Sequence, residues 1–230
     1  MKLVISSGHG KYVRGASGYL DEVDEARKVV DTVADMLHEA RSDFEVTTFH
    51  DNVSTSQNEN LTRIVDFHNA KTRDLDVSVH FNAYQTTSKP MGTECLYVTQ
   101  ANLASVVAEK IADVGFLNRG AKKRTDLYFL NNTEMPSVLV EVCFVDSSVD
   151  ADIYNSNFEN VCRALAEGLT GINLEEPEEP DRPERPPVQP PVQEETPVVE
   201  IKTTGDVRII INGQEVSTEA RTSTSPEPWE

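Results

Sequence analysis

Apolar residues in the first 174 positions switch between two spacings, and the switches mark the elements. Leu3, Val4 and Ile5 form a short unbroken run, which predicts a buried strand over residues 2–6. Residues 6–20 carry glycines and serines and predict a loop. From Asp21 to Ala40, Val29, Val30, Val33, Met36 and Leu37 recur at steps of three and four, the period of a helix. Asp21, Glu22, Asp24 and Glu25 crowd its first turn, where carboxylates complement the helix dipole. The same reading gives a strand at 44–49 and a helix through Leu61, Ile64, Val65 and Phe67, capped by Thr55 or Ser56. A strand follows at 76–81 and another, antiparallel, at 93–99 after the turn Lys89-Pro90-Met91-Gly92. A helix at 101–114, short strands at 127–130 and 137–145 and a closing helix at 157–169 complete the list.

Strands alternating with helices at these lengths predict an α/β fold, a mostly parallel twisted sheet with helices on both faces. In such sheets ligands bind beyond the carboxyl ends of the strands. The pattern stops near Leu174, so residues 1–174 read as one domain. Residues 175–198 are rich in Pro and Glu and read as a stiff, solvated linker. In 199–216, Asn212-Gly213 between apolar flanks predicts a small β-hairpin segment, too small to fold alone. It is a candidate for self-association or for attachment to a target. Residues 217–230 lack an apolar pattern and read as disordered.

Charge narrows the partners. Residues 1–174 hold 16 Lys and Arg against 25 Asp and Glu; the remainder hold 5 against 14, so each part is net −9. Nucleic acid is a poor partner for such a chain, because phosphate binding needs Lys and Arg to displace counterions. No apolar run approaches the length of a membrane span. Met1-Lys2 runs directly into the first strand, so no secretory signal is expected. Cys95, Cys143 and Cys162 are odd in number and widely spaced, which fits reduced structural thiols.

The candidate chemistry sits where the apolar runs end. His9, flanked by glycines, follows the first strand; His80, in Val77-Ser78-Val79-His80-Phe81-Asn82, ends the third. Two histidines and one carboxylate suit a catalytic zinc with a fourth position left for water. The carboxylate comes from the first helix turn. Glu25 lies four residues before Val29 and eight before Val33, so it shares the inward face and is preferred to Glu22. Glu141 is the lone acid in Val138-Leu139-Val140-Glu141-Val142-Cys143-Phe144. Burying a carboxylate there is costly unless it is paired or used. A general base is one use; an ion pair with Arg119 or Lys122 is the structural alternative. His38, His50 and His68 lie in or beside polar segments and are expected to be exposed or locally hydrogen-bonded.

Taken together, Ser7-Gly8-His9-Gly10, Asp21-Glu22-Val23-Asp24-Glu25-Ala26, Ser78-Val79-His80-Phe81-Asn82-Ala83, Asn118-Arg119-Gly120-Ala121-Lys122 and the Glu141 strand resemble the zinc-dependent N-acetylmuramoyl-L-alanine amidases, in order and in spacing. More narrowly, they resemble the catalytic domains of phage endolysins. The resemblance covers residues 2–172. It implies zinc on His9, Glu25 and His80, with Glu141 as the catalytic carboxylate. It implies hydrolysis of the amide between N-acetylmuramic acid and L-alanine in Gram-positive peptidoglycan, by a protein made in the bacterial host cytoplasm and acting on the wall after release. Residues 84–92 and 118–128 are placed to wall a substrate groove. The alternatives are a host amidase of cell separation or spore release, or a non-catalytic wall-binding module.

Overall fold

The computed structural model describes residues 1–40, 43–174, 199–204, 206–211 and 214–216, in two units that divide after Glu176. The first unit is built on a six-stranded sheet. Its strands are β1 (Lys2–Gly10), β2 (Glu45–Asp51), β3 (Leu75–Asn82), β4 (Thr93–Tyr97), β5 (Asn118–Lys123) and β6 (Ser137–Phe144), in the order β2-β1-β3-β6-β4-β5. The first four in that order are mutually parallel. β4 turns antiparallel to β6, as expected, and β5 runs parallel to β4. The helices are α1 (Glu22–Ala40), α2 (Gln57–Asn69), α3 (Ala101–Ala112), α4 (Tyr128–Asn132), α5 (Ser148–Ser156) and α6 (Phe158–Thr170).

Strand alternation sorts the core into two layers. Leu3, Ile5, Val77, Val79, Val138 and Val140 face a large apolar cluster with Val29, Val33 and Leu37 of α1, Val107 and Ile111 of α3, and Leu165 of α6. On the other face Leu96 and Leu139 join Ile64 and Val65 of α2 and Phe129 and Leu130 of α4. This is the predicted sandwich with helices on both faces. Cys95, Cys143 and Cys162 are buried and unpaired.

Four elements depart from the sequence expectation. β1 continues to Gly10 because its backbone stays paired, Ser7 with Val79 and Gly10 with Asp51, though Ser7-Gly8-His9-Gly10 carries no apolar signal. Residues 128–132 form a helical turn rather than a strand, burying Phe129 and Leu130 against α2. β5 is a polar edge strand, Asn-Arg-Gly-Ala-Lys-Lys, with one neighbour. α5 is held by caps rather than periodicity. Ser147 Oγ accepts from the Asp150 amide, and the buried Asp150 carboxylate accepts from the amides of Met91, Gly92 and Phe144. Tyr84 N donates to Asp146 Oδ2, Thr87 N to the Asp146 carbonyl and Ser148 N to the Thr87 carbonyl, so the 84–92 crossover is tied to the start of α5 along its length.

Of the histidines expected to be exposed or locally bonded, His68 is wholly buried. Its Nδ1 lies 2.7 Å from Asp76 Oδ1 and its Nε2 3.0 Å from Ser6 Oγ, while Arg73 Nε donates to the same Asp76 oxygen at 2.6 Å. Burial lowers the His68 pKa, although Asp76 pulls the other way. The neutral ring therefore donates to Asp76 and accepts from Ser6. These are the residue types of a nucleophilic triad, but sealed from solvent they brace α2 to β1 and β3.

The second unit contains β7 (Val199–Thr204), β8 (Asp206–Ile211) and β9 (Gln214–Val216), an antiparallel sheet in that order. Ile211 is paired with Gln214, the spacing of the hairpin predicted there. Asn212 and Gly213, the linker and residues 217–230 lie outside the described residues. No described helix is long and apolar enough to cross a membrane.

Replacing His68 with Ala leaves Ser6 and Asp76 facing each other across a void. The expected cost is about 3 kcal/mol of unfolding free energy, to be measured by urea titration of the wild type and variant.

Candidate active site

Three parallel strands and the start of one helix bring the candidate residues together. His9 lies near the carboxyl end of β1 and His80 near that of β3. α1 begins beside both. His9 has a φ of 59°, in the left-handed region that non-glycine residues rarely occupy. Such strain concentrates at functional sites. Glycines leave room around the imidazoles. A methyl group on Gly8 would overlap the His80 ring, and one on Gly15 would overlap the Glu22 carboxylate and His9.

The carboxylate that meets the two histidines is Glu22. Its Oε1 is 2.9 Å from His80 Nδ1 and 3.4 Å from His9 Nε2. These three residues form a cluster whose ligand atoms all lie within 4.8 Å of one another. The Ala16 amide donates to Glu22 Oε2 at 2.7 Å, and Phe81 N donates to Oε1 at 3.3 Å. Ser78 Oγ stands 3.0 Å from His80 Nε2 and fixes which ring nitrogen faces Glu22.

Glu25 is elsewhere, and the preference for it is corrected. The face of α1 that carries Val29 and Val33 packs into the large apolar cluster, not toward the strand ends. One turn deeper than Glu22, Glu25 follows that face. It accepts from Tyr154 Oη at 3.0 Å and pairs with Lys28 at 2.8 Å. Glu22, the first residue of α1, is the one whose carboxylate meets His9 and His80. Asp21 and Asp24 both pair with Arg14.

The three groups are electrostatically coupled. Burial works against the Glu22 carboxylate, yet its bond to His80, the charges of both histidines and the Ala16 amide hold its pKa below the ordinary value. Burial and His80 push His9 down; His80 is raised despite its burial because Glu22 accepts from it. His9 Nδ1 is buried without a hydrogen-bond partner. Two imidazoles and one carboxylate, converging and desolvated, are a donor set that suits zinc.

Glu141 sits in β6, paired in register with His80 on β3 and with Glu94 on β4. Its Oε2 is buried without a hydrogen-bond partner. Burial pushes its pKa up to about 7; His80 opposes, while Glu22 and Glu94 add to the rise. The ion pair considered for it goes to a neighbour instead. Arg119 Nε donates to Glu94 Oε2 at 2.6 Å, and Lys122 pairs with the same oxygen. Sequence reasoning missed Glu94, although its signal matches that of Glu141: a lone acid within an otherwise uncharged strand, Thr93-Glu94-Cys95-Leu96-Tyr97.

His9, Ser78 and His80 border a small cleft beneath α2 with Asn60, Ile64 and Phe129. A wider surface groove beside Phe49, Thr62, Arg63 and Phe67 contains none of the four candidate residues.

Residues 3–171 match the family model described as N-acetylmuramoyl-L-alanine amidase. The chain belongs to this amidase family. It is 27% identical to the catalytic domain of the CD27L endolysin targeting Clostridia Difficile, with a TM-score of 0.69 over 76% of this chain and 99% of that one. It is 31% identical over 189 residues to the endolysin of Bacillus phage SPP1, covering 74% of this chain and 66% of the phage protein. It is 38% identical over 160 residues to an uncharacterized 38.4 kDa protein of Clostridium perfringens, covering 67% of this chain and 46% of that relative. The match thus spans less than half the length of the Clostridium protein.

When this amidase-family chain is incubated with zinc and dialysed, Glu22→Ala is expected to retain about tenfold less of the metal than the unchanged chain. Glu25→Ala is expected to retain the ion. Elemental analysis of both variants checks the assignment, and Gly15→Ala is expected to weaken zinc affinity without changing any ligand.

Proposed function

We propose that the chain is a zinc-dependent amidase that cleaves the bond between the lactyl group of N-acetylmuramic acid and L-alanine in peptidoglycan, working as an endolysin on Gram-positive walls. The observation that carries this reading is the convergence of His9, Glu22 and His80 beside the partnerless buried oxygen of Glu141. Family membership supports it.

In this reading His9, Glu22 and His80 hold the ion. Bound zinc supplies an acidified water and a polarised carbonyl. The chain's own contribution is orientation and proton transfer. Ser78 and the Ala16 and Phe81 amides fix the ligand side chains before substrate arrives. Glu141 Oε2 takes a proton from the attacking water and returns it to the departing alanine amine. A carboxyl group balanced near neutrality can do both. The strong net negative charge gives no long-range attraction to an anionic wall, so recognition is short-range.

Purified walls incubated with the chain are expected to release new alanine amino termini and no new reducing ends. Chelation stops the release and added zinc restores it. Glu141→Gln keeps the ion and the melting temperature, and loses roughly a hundredfold to ten-thousandfold in turnover. New reducing ends, or unimpaired turnover in that variant, would reject the reading.

A further inference from the structure

Beside Glu141 lies a charged group that the proton transfer does not use. Glu94 is 6% exposed and accepts from both Arg119 and Lys122, with Asn82 Nδ2 3.3 Å from its other oxygen. One cation would neutralise one buried carboxylate. The second bonds the same Glu94 oxygen, although Glu141, a carboxylate on the neighbouring strand, has an oxygen without a partner. Neither cation is sealed in: the side chains of Arg119 and Lys122 are 30% and 39% exposed.

The two cations differ in how firmly they are held. Arg119 also donates to the Met91 carbonyl at 3.3 Å, and its guanidinium stands 4.9 Å over the Phe144 ring. Among the described residues the Lys122 ammonium is seen to bond only Glu94. Arg119 is thus an anchor and Lys122 a contact free to turn toward a newcomer. Lys122 is paired with Leu96, two residues along β4 from Glu94, and so shares the face that carries Glu141. Neighbouring strands are about 4.8 Å apart, roughly the length of one to two extended residues. Across the sheet the order is therefore metal ligands, proton-transfer carboxylate, then cations at the free edge.

We propose that Lys122, oriented by Glu94 and backed by Arg119, forms a subsite for a carboxylate on the peptide arm of the substrate, on the residue after the alanine whose amide is cut. This rests on the amidase reading above. A flexible ammonium suits a single carboxylate on a peptide whose position is already set at the reacting bond.

The test uses two soluble muramoyl dipeptides that differ only at the second residue, one with a free α-carboxylate and one with the carboxamide. The wild type is expected to favour the carboxylate about tenfold in kcat/KM, mainly through KM. Lys122→Met should lower turnover of the carboxylate substrate about tenfold more than that of the carboxamide, and Lys122→Arg should restore most of the preference. No preference in the wild type, or equal loss on both substrates, overturns the subsite. Calorimetry with Glu141→Gln gives a second readout that needs no hydrolysis. The free alanyl dipeptide acid should bind about tenfold tighter than its amide, and Lys122→Met should remove the difference. If neither muramoyl dipeptide is hydrolysed, the amidase reading fails while the calorimetry still decides the subsite. Equal binding of acid and amide, or tighter binding of inorganic phosphate than of the acid, overturns it.

Discussion

The first unit is organised around the desolvation of three carboxylates on neighbouring elements. Glu22, Glu141 and Glu94 are each withdrawn from water, and each is treated differently. Glu22 is stabilised by two imidazoles and a backbone amide. Glu94 is stabilised by a guanidinium and an ammonium. Glu141 lies between them with one oxygen bare. A buried carboxylate with no partner shifts toward its protonated form. That places Glu141 in a range where it can exchange a proton. The Glu94 charge adds to that rise, and Arg119 and Lys122 bond Glu94 rather than Glu141.

Strand order makes this arrangement possible. Chain-distant strands β1, β3, β6 and β4 are neighbours in the sheet, so residues 9, 80, 141 and 94 lie in sequence across it. Apolar packing on both faces fixes the backbone on which they stand. The Ser6-His68-Asp76 brace secures β1 and β3 from the α2 side, beneath the strands that carry the two histidines.

Much of this was legible in the sequence, and the misses have physical causes. The apolar periods of β3, β6, α1 and α6 reflect burial of whole faces, and burial is what period analysis detects. His9, His80 and Glu141 were visible as polar residues at the edge of, or within, such runs. The choice between Glu22 and Glu25 was not, because the inward face of α1 and the mouth of the site are different places. Periodicity identifies the first, whereas the site needs the helix's starting point relative to the strand ends. β5 was missed because an edge strand with one neighbour needs no apolar residues. α5 was missed because it lacks an apolar period: Ser147 caps it locally, and Asp150 holds it through tertiary bonds from the amides of Met91 and Gly92. Glu94 carried the same pattern as Glu141 and could have been singled out by it.

The crossover from β3 to β4 is fastened at Tyr84, Thr87, Met91 and Gly92 to residues 146–150. That stitching sets the phase of β4 against β6. Lengthening or shortening the crossover by a single residue would slide Glu94 away from its opposite number and turn its side chain to the other surface of the sheet. Anyone retargeting such an enzyme by loop exchange has little slack on that flank. The outer margin formed by β5 has a single neighbour, yet it too is committed, because it carries both cations that bond Glu94.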